Sequence, residues 1–555
     1  MKSFRWQIII ILLTGLVVGL LLLSEQTGFR LVSPMPTRGG VYSEGLVGRL
    51  QRLNPVLDYY NSVDRDINRL LYSSLINFDE QGFPTGDLAE SWGVSFDGLS
   101  YNFNIKENAN WHDGNPVTAQ DIVFTINLMR DPASVLPEDL KEFWNRLEVI
   151  PLGDKALQIR LEEPFAPLID YLNFGILPQH LLGGMTYEQM ITSEFNINPV
   201  GSGPYRFQGF ITEGQNIRGV ALTANTDYYD SPPFIQEVIF RYFPDYISAM
   251  NAFREGTIQG IAEVDQNILG EILQNPGYSL YSAIKPEIAI ILLNLNNNDV
   301  QFFQDKEIRK AMLMGLDRRG LVEKTLNGQG VIADVPVLPN SWAFYSANPR
   351  VDQDNQQARN ILRDAGYLLE GEGLVVREKD GNPFSFKLVH PNDDYHTSIA
   401  QAVKSDWLKI GINADLVPVP YDTLILDYLQ PLTYEAALID LNYSRSPDPD
   451  PYPFWDQTQQ NGGQNYSQWE NRIASQYLQE ARVSMDMEER AKLYRNFQAI
   501  FTEEIPALPL FYPVYNFPIS PSIQGVRIGP MYDSNDRFWN INEWFLITQT
   551  NPNPS

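Results

Sequence analysis

The residues that could carry chemistry are few. The 555-residue chain has four histidines, His112, His180, His390 and His396, and no cysteine. Without cysteine there are no disulfide staples, thiolate nucleophiles or Cys-ligated metals. None of the histidines stands at metal-ligand spacing, so no metal is expected. His112 beside Asp113 has the residue types of a general base and its orienter, but neighbours on a loop rarely face each other. His180, in Leu177-Pro178-Gln179-His180, reads as a turn cap. Gly201-Ser202-Gly203 lacks the G-x-S-x-G order of a nucleophile elbow and the lysine of a phosphate loop, so it reads as a backbone crossing. Glu162-Glu163 and Glu503-Glu504 read as solvated charges rather than a glycosidase pair. Asp448 and Asp450 could form a dyad or a calcium loop, but the proline between them favours turn architecture. No catalytic residue and no cofactor is assigned.

The stretch Glu435–Trp455 differs in kind. Ala436 to Leu441, apolar except for Asp440, has the length of a buried strand. It breaks into Asn442, Tyr443, Ser444 and Arg445, then alternating Pro and Asp, then Tyr452, Phe454 and Trp455. A buried strand delivering polar and aromatic side chains into a stiff loop is a common way to present a binding surface. A Pro-rich surface turn is the alternative reading.

The elements that would position this stretch are legible. Gly39 to Gly45 reads as a first strand, and Asp64 to Ile76 as an amphipathic helix. Asp97-Gly98 followed by the alternation Tyr101 to Ile105 predicts a hairpin. Thr118, three before Asp121, predicts a capped helix start, with the helix continuing from Ile122 to Met129. Strands are expected at Glu237 to Phe243, Ile258 to Val264, Phe384 to Val389 and Ile412 to Val417. Ile288 to Leu295 is apolar enough for a central strand covered on both faces. Helices are expected at Ile247 to Phe253, Lys306 to Leu316, Asn355 to Asp364, Ile399 to Ile410, Trp469 to Glu480 and Asp486 to Phe501. The tail, Ala507 to Pro509, Gly525 to Ile528 and Phe538 to Phe545, reads as strands and turns. Strand–helix alternation makes the second half α/β.

Composition narrows the partners. The net charge of −27 repels phosphate backbones, so nucleic acid is excluded. Lys2 and Arg5 precede the apolar run from Ile8 to Leu23, which is followed by polar Ser24-Glu25-Gln26. That order exports the chain beyond the run. With no small-x-small cleavage pattern and no cysteine to lipidate, an uncleaved membrane anchor is expected over a cleaved signal peptide.

Several stretches together resemble the large extracytoplasmic solute-binding proteins of ABC importers, family 5. They are Leu88-Ala89-Glu90-Ser91-Trp92 with Tyr101-Asn102-Phe103, Trp111-His112-Asp113-Gly114, and Val117-Thr118-Ala119-Gln120-Asp121-Ile122. Further along come Leu177-Pro178-Gln179-His180, Gly201-Ser202-Gly203-Pro204-Tyr205, and Glu307-Ile308-Arg309-Lys310-Ala311 with Asp317-Arg318. Ala365-Gly366-Tyr367 and Leu408-Lys409-Ile410-Gly411-Ile412 complete the set.

The resemblance implies an α/β, two-lobed periplasmic-binding-protein-like fold of type II, with an extra α+β domain inserted in the first lobe. On that pattern residues 1–38 are signal or anchor helix and tether. The first lobe is 39–74 with 200–285 and 511–550, the insert is 75–199, and the second lobe is 286–510. It further implies a monomer that closes around a ligand, most commonly a peptide, and serves an ABC permease and ATPase. The implied ligand contacts are Asn442, Tyr443, Ser444 and Arg445, with Tyr59, Tyr60 and Asn61 from the first lobe and Trp455 as a pocket wall. Arg445 falls where the family's peptide binders carry an Asp for a free α-amino group, and a guanidinium suits a carboxylate or phosphate instead. The alternatives are an exported hydrolase using His112 and Asp113 or a carboxylate pair, and a tethered sensor or chaperone-like protein on the same scaffold.

Overall fold

A computed structural model describes residues 36–369, 375–444 and 447–547. The expected anchor run and Arg445 lie outside the described residues. Among the described residues, no helix is long and apolar enough to cross a membrane.

The chain opens with β1 (Val41–Val47) and α1 (Ser62–Leu71). A short hairpin, β2 (Ile76–Phe78) and β3 (Pro84–Gly86), follows. Next come β4 (Ala89–Val94), β5 (Ser100–Ile105), α2 (Ala119–Met129), β6 (Glu148–Pro151) and β7 (Ala156–Arg160). These four strands form an antiparallel sheet in the order β4-β5-β7-β6. The expected hairpin turn is present, with Gly98 at a φ of 71° that suits glycine. The expected cap is also present, the Asp121 carboxylate accepting from the Thr118 N–H at 2.7 Å.

Strands β8 (Tyr205–Glu213), β9 (Asn216–Ala224) and β10 (Glu237–Phe243) precede α3 (Tyr246–Arg254). Then come β11 (Gly260–Ile261), β12 (Ser279–Ile284) and β13 (Glu287–Leu293). The second half continues through α4 (Lys306–Met314), β14 (Gly330–Ile332) and α5 (Asn355–Asp364). A small hairpin, β15 (Glu378–Lys379) and β16 (Asn382–Pro383), leads to β17 (Ser385–Pro391), α6 (Asp394–Leu408), β18 (Asn413–Val419) and β19 (Ala436–Asn442). Helices α7 (Arg472–Val483) and α8 (Met487–Glu504) end in β20 (Ala507–Ile519).

The main sheet runs β18-β17-β19-β13-β20-β11-β1-β10-β9-β8, with β12 and β14 also on β20. Its two halves have separate cores. On the β13–β17–β18–β19 side, apolar clusters cover both faces. Leu438 and Trp407 belong to one, and Ile439, Trp455 and Phe501 to the other. The apolar run of β13 reflects this double cover. On the other side one cluster joins Tyr42, Tyr205 and Phe517 to Leu88, Tyr101 and Trp111, so the four-stranded sheet shares its core with the β1 half.

Three expectations change. Helix α1 stops at Leu71 rather than running to Ile76, because Gly203 N–H takes the Leu71 carbonyl at 2.8 Å and Tyr72 turns extended. Only Gly260–Ile261 of the expected 258–264 strand pairs in the sheet. In the tail, Ala507–Ile519 is one 13-residue strand, whereas 534–538 and 541–543 are single 3₁₀ turns.

Candidate functional site

Two stretches join the halves of the sheet. One is 284–287, between β12 and β13, and the other is 512–514, inside β20. Strand β20 pairs with β13 through 507–511 and with β12 through 514–519. Between these registers Lys285 N–H donates to the Pro513 carbonyl at 2.8 Å. The Lys285 ammonium lies 2.5 Å from Glu263 on the β1 side and 3.9 Å from Glu287 on the other. Burial opposes that charge, but Glu263 and Glu287 outweigh it and hold Lys285 above the ordinary lysine range. Two adjacent antiparallel crossings, with β14 paired to β20 at 511–513, can bend as a hinge.

A cleft of about 580 Å³ opens beside the crossings. Its walls are Ser282 to Ile284 of β12, the Asn340-Ser341-Trp342 loop, Ile528 to Pro530, and Glu80, Gln81 and Phe83 of the β2–β3 hairpin. The walls thus come from β12 and two segments on one side and from a loop whose Trp342 packs on the β13–β19 half on the other, mixing apolar rings with amide and hydroxyl groups, as ligand sites do.

None of the described residues expected at the ligand from sequence is among these walls, but several adjoin them. Asn442 ends β19 opposite Glu287, and Tyr443 N–H donates to the Pro286 carbonyl at 2.7 Å, extending that pairing to the crossing. Tyr443 packs edge-on against Phe454, and it shares a cluster with Ile284 and Trp342 of the cleft. Burial holds its hydroxyl above the usual tyrosine range. Ser444 N–H is taken by the Asn442 amide oxygen at 2.7 Å, closing a tight turn. Tyr60 is 76% exposed and meets Tyr59 edge-on at 4.9 Å. Arg65 ties that loop down, donating to the Tyr59 carbonyl and pairing with Asp533 at 2.8 Å. Two residues have structural duties. Asn61 caps α1, accepting from Val63 N–H at 3.1 Å. Trp455 is a correction: it is 1% exposed, packed on Phe501 inside the core and not on an open wall. Sequence reading passed over Trp342 and Ile528 to Pro530, which carry no local motif.

The Pro-Asp repeat braces the loop. Asp448 is paired with Arg490 and accepts from the Tyr494 hydroxyl at 3.1 Å, all buried. Asp450 pairs with Arg482 at 3.0 Å. Each carboxylate faces a guanidinium, which is neither a dyad nor a calcium loop.

The His112 neighbourhood is a staple. Gly201 N–H donates to His112 Nδ1 at 3.1 Å, and Nε2 meets the Gly203 carbonyl at 3.0 Å. Both nitrogens are taken by backbone, which leaves no free base. Asp113 turns away to His180 at 2.8 Å. Asp121 also accepts from Gln179 N–H at 2.7 Å. The Trp-His-Asp-Gly, Thr-x-x-Asp, Pro-Gln-His and Gly-Ser-Gly-Pro stretches thus lock one another in place.

Comparison with known proteins agrees with this geometry. The sequence model for "Bacterial extracellular solute-binding proteins, family 5 Middle" matches residues 84–464. The oligopeptide-binding protein AppA of Bacillus subtilis is 27% identical over 92% of both chains. Its structure with a nonapeptide superimposes with a TM-score of 0.67 and 26% identity, covering 93% of this chain and 100% of that one. NikZ of Campylobacter jejuni, in complex with Ni(L-His), gives a TM-score of 0.68 and 25% identity over 91% of this chain and 99% of that one. The two-halved sheet with its hinge and cleft, together with the matched span, makes this chain a member of the bacterial extracellular solute-binding proteins, family 5.

Proposed function

We propose that the protein is an extracytoplasmic receptor that closes around peptides and delivers them to an ABC permease, held at the membrane by residues 8–23. The observation that carries the reading is a cleft beside the two adjacent crossings through which the chain passes between the halves of the sheet, walled by segments from both sides of them. The similarity to the B. subtilis oligopeptide-binding protein supports peptides as the class. We assign the first lobe to 39–74, 200–285 and 511–550, the region 75–199 to an insert in it, and the second lobe to 286–510. We assign ligand contacts to Asn442, Tyr443, Ser444 and Arg445, and to Tyr59 and Tyr60 of the first lobe. The Arg445 guanidinium suits a ligand carboxylate. Native mass spectrometry of the purified protein tests the class. Peptides of mixed sequence are expected to co-purify. Recovery of only sugars or metal chelates would remove peptides and leave the receptor role.

A further inference from the structure

The hinge is not the only place where the second lobe meets the rest of the chain. Helix α7 packs against the 3₁₀ turn Ala166–Leu172, which belongs to the region of the four-stranded sheet. Arg482 of α7, paired with Asp450, lies 5.0 Å over the Phe165 ring. Just beyond α7, Met485 reaches the hairpin turn between β4 and β5. Its Sδ takes a hydrogen bond from the Tyr101 hydroxyl at 3.3 Å. Its methyl end fills a notch that only glycine leaves open: a Cβ at Gly98 would stand 2.8 Å from Met485 Cε and 3.2 Å from Pro164 Cβ. The contact is separate from the crossings, so rotation about them must slide or part it.

The same side chain is open to solvent. Met485 is 37% exposed, whereas Met129, Met190, Met250, Met312 and Met531 are buried. A thioether is unbranched and polarizable, which lets it fill an irregular notch. In a chain without cysteine its sulfur is also the side-chain atom most open to attack by a mild oxidant.

We propose that Met485 is an oxidation site, at which a peroxide converts a clasp between the second lobe and the insert into a release. A sulfur lone pair bonds to one peroxide oxygen, the O–O bond breaks, and the departing hydroxide takes a proton and leaves as water. Sulfur is oxidised and the peroxide reduced. The product sulfoxide is polar and carries an extra oxygen into a notch shaped for a thioether. Keeping it there forfeits either its hydration or the packing. The second lobe then parts from the insert, and the open form gains.

The inference rests on the closing-receptor reading. Glu90 and Glu323 are both exposed, one on β4 and one on the second lobe. With no native cysteine, Glu90→Cys and Glu323→Cys take a donor and an acceptor dye directly, and energy transfer reports their separation. Dilute hydrogen peroxide, removed before measurement, is the probe, and peptide mass spectrometry locates the added oxygen. Met485 is expected to react before Met487, which is less exposed and accepts from the Arg490 guanidinium at 3.5 Å. Without ligand, transfer is expected to fall as Met485 sulfoxide accumulates and to return when methionine sulfoxide reductases remove the oxygen. Met485→Leu, which keeps an apolar side chain and cannot take the oxygen, is expected to hold transfer constant. Met485 still reduced when Met185, 36% exposed and outside the contact, is already oxidised overturns the proposal. Unchanged transfer in the oxidised native protein does so whether or not the Leu variant folds, as does a Leu variant that loses transfer like the native protein. A synthetic nonapeptide separates the two claims. Shortening by peptide with no effect of oxidation sinks the clasp and leaves the receptor standing. Release by oxidation with no shortening by peptide supports the clasp and removes the peptide reading.

Discussion

His112 has the side chain most suggestive of catalysis, and its protonation state records its structural duty. Burial, opposed by the Gly203 carbonyl, pushes its pKa down to about 4. Protonating Nδ1 would also expel the Gly201 N–H it accepts. Because the folded value lies below the unfolded one, the contribution to stability is complete above the usual histidine value of about 6.5 and is lost as pH falls towards 4. Unfolding by urea is therefore expected to need about 3 kcal/mol less at pH 4 than at pH 7 through this residue, and His112→Gln, which can donate and accept without titrating, should flatten that difference. An unchanged pH slope in the variant would return His112 to the solvent-facing loop. At this scale the sequence was informative about what the residues are and less about whom they meet. Asp113 next to His112 suggested a pair, yet Asp113 bonds His180, 67 positions away. The same holds for Arg537, wholly buried between Glu44 at 2.5 Å and Asp66 at 2.9 Å, which no local spacing announces.

Elements were more legible where burial imposes a period and less so where a distant segment intervenes. The strands β13, β17, β18 and β19 follow their apolar runs, because both faces of that half-sheet are covered. Gly411, at a φ of 87°, ends the α6 region as its type suggests. Helix α1 departs from its pattern because its last carbonyls meet the Gly201-Ser202-Gly203 turn, some 130 residues on. A Cβ at Gly201 would stand 1.8 Å from the Leu71 oxygen, and one at Gly203 2.5 Å from that of Leu70. Both obstacles are backbone and cannot swing aside. Gly201→Ala is therefore expected to cost about 3 kcal/mol, the upper end for over-packing, in a denaturant titration. A loss under about 1 kcal/mol would mean that the turn does not press on α1. The glycines serve close approach here, in keeping with the sequence reading of a backbone crossing.

The whole molecule is organised by strand β20, whose 13 residues pair with β13 at one end and β12 at the other. Nothing local in Ala507 to Ile519 states that it spans two bodies. The expected tail strand was far shorter, and the two-lobed plan came from resemblance rather than from periodicity. The cleft was illegible for the same reason: Phe83, Ile284, Trp342 and Pro530 become neighbours only when four remote segments converge. What the sequence did show was the break after a buried strand at Asn442 to Ser444 and the turn architecture of Asp448 and Asp450, now tied to Arg490 and Arg482. Closure of the two halves around a peptide is the claim on which the rest depends. Energy transfer between labels at Glu90→Cys and Glu323→Cys, monitored at pH 6 as a synthetic nonapeptide is added, tests it most directly. The separation is expected to shorten saturably, with half the change well below 1 mM, roughly the weak limit for specific binding. A separation that stays constant to about that concentration would contradict it.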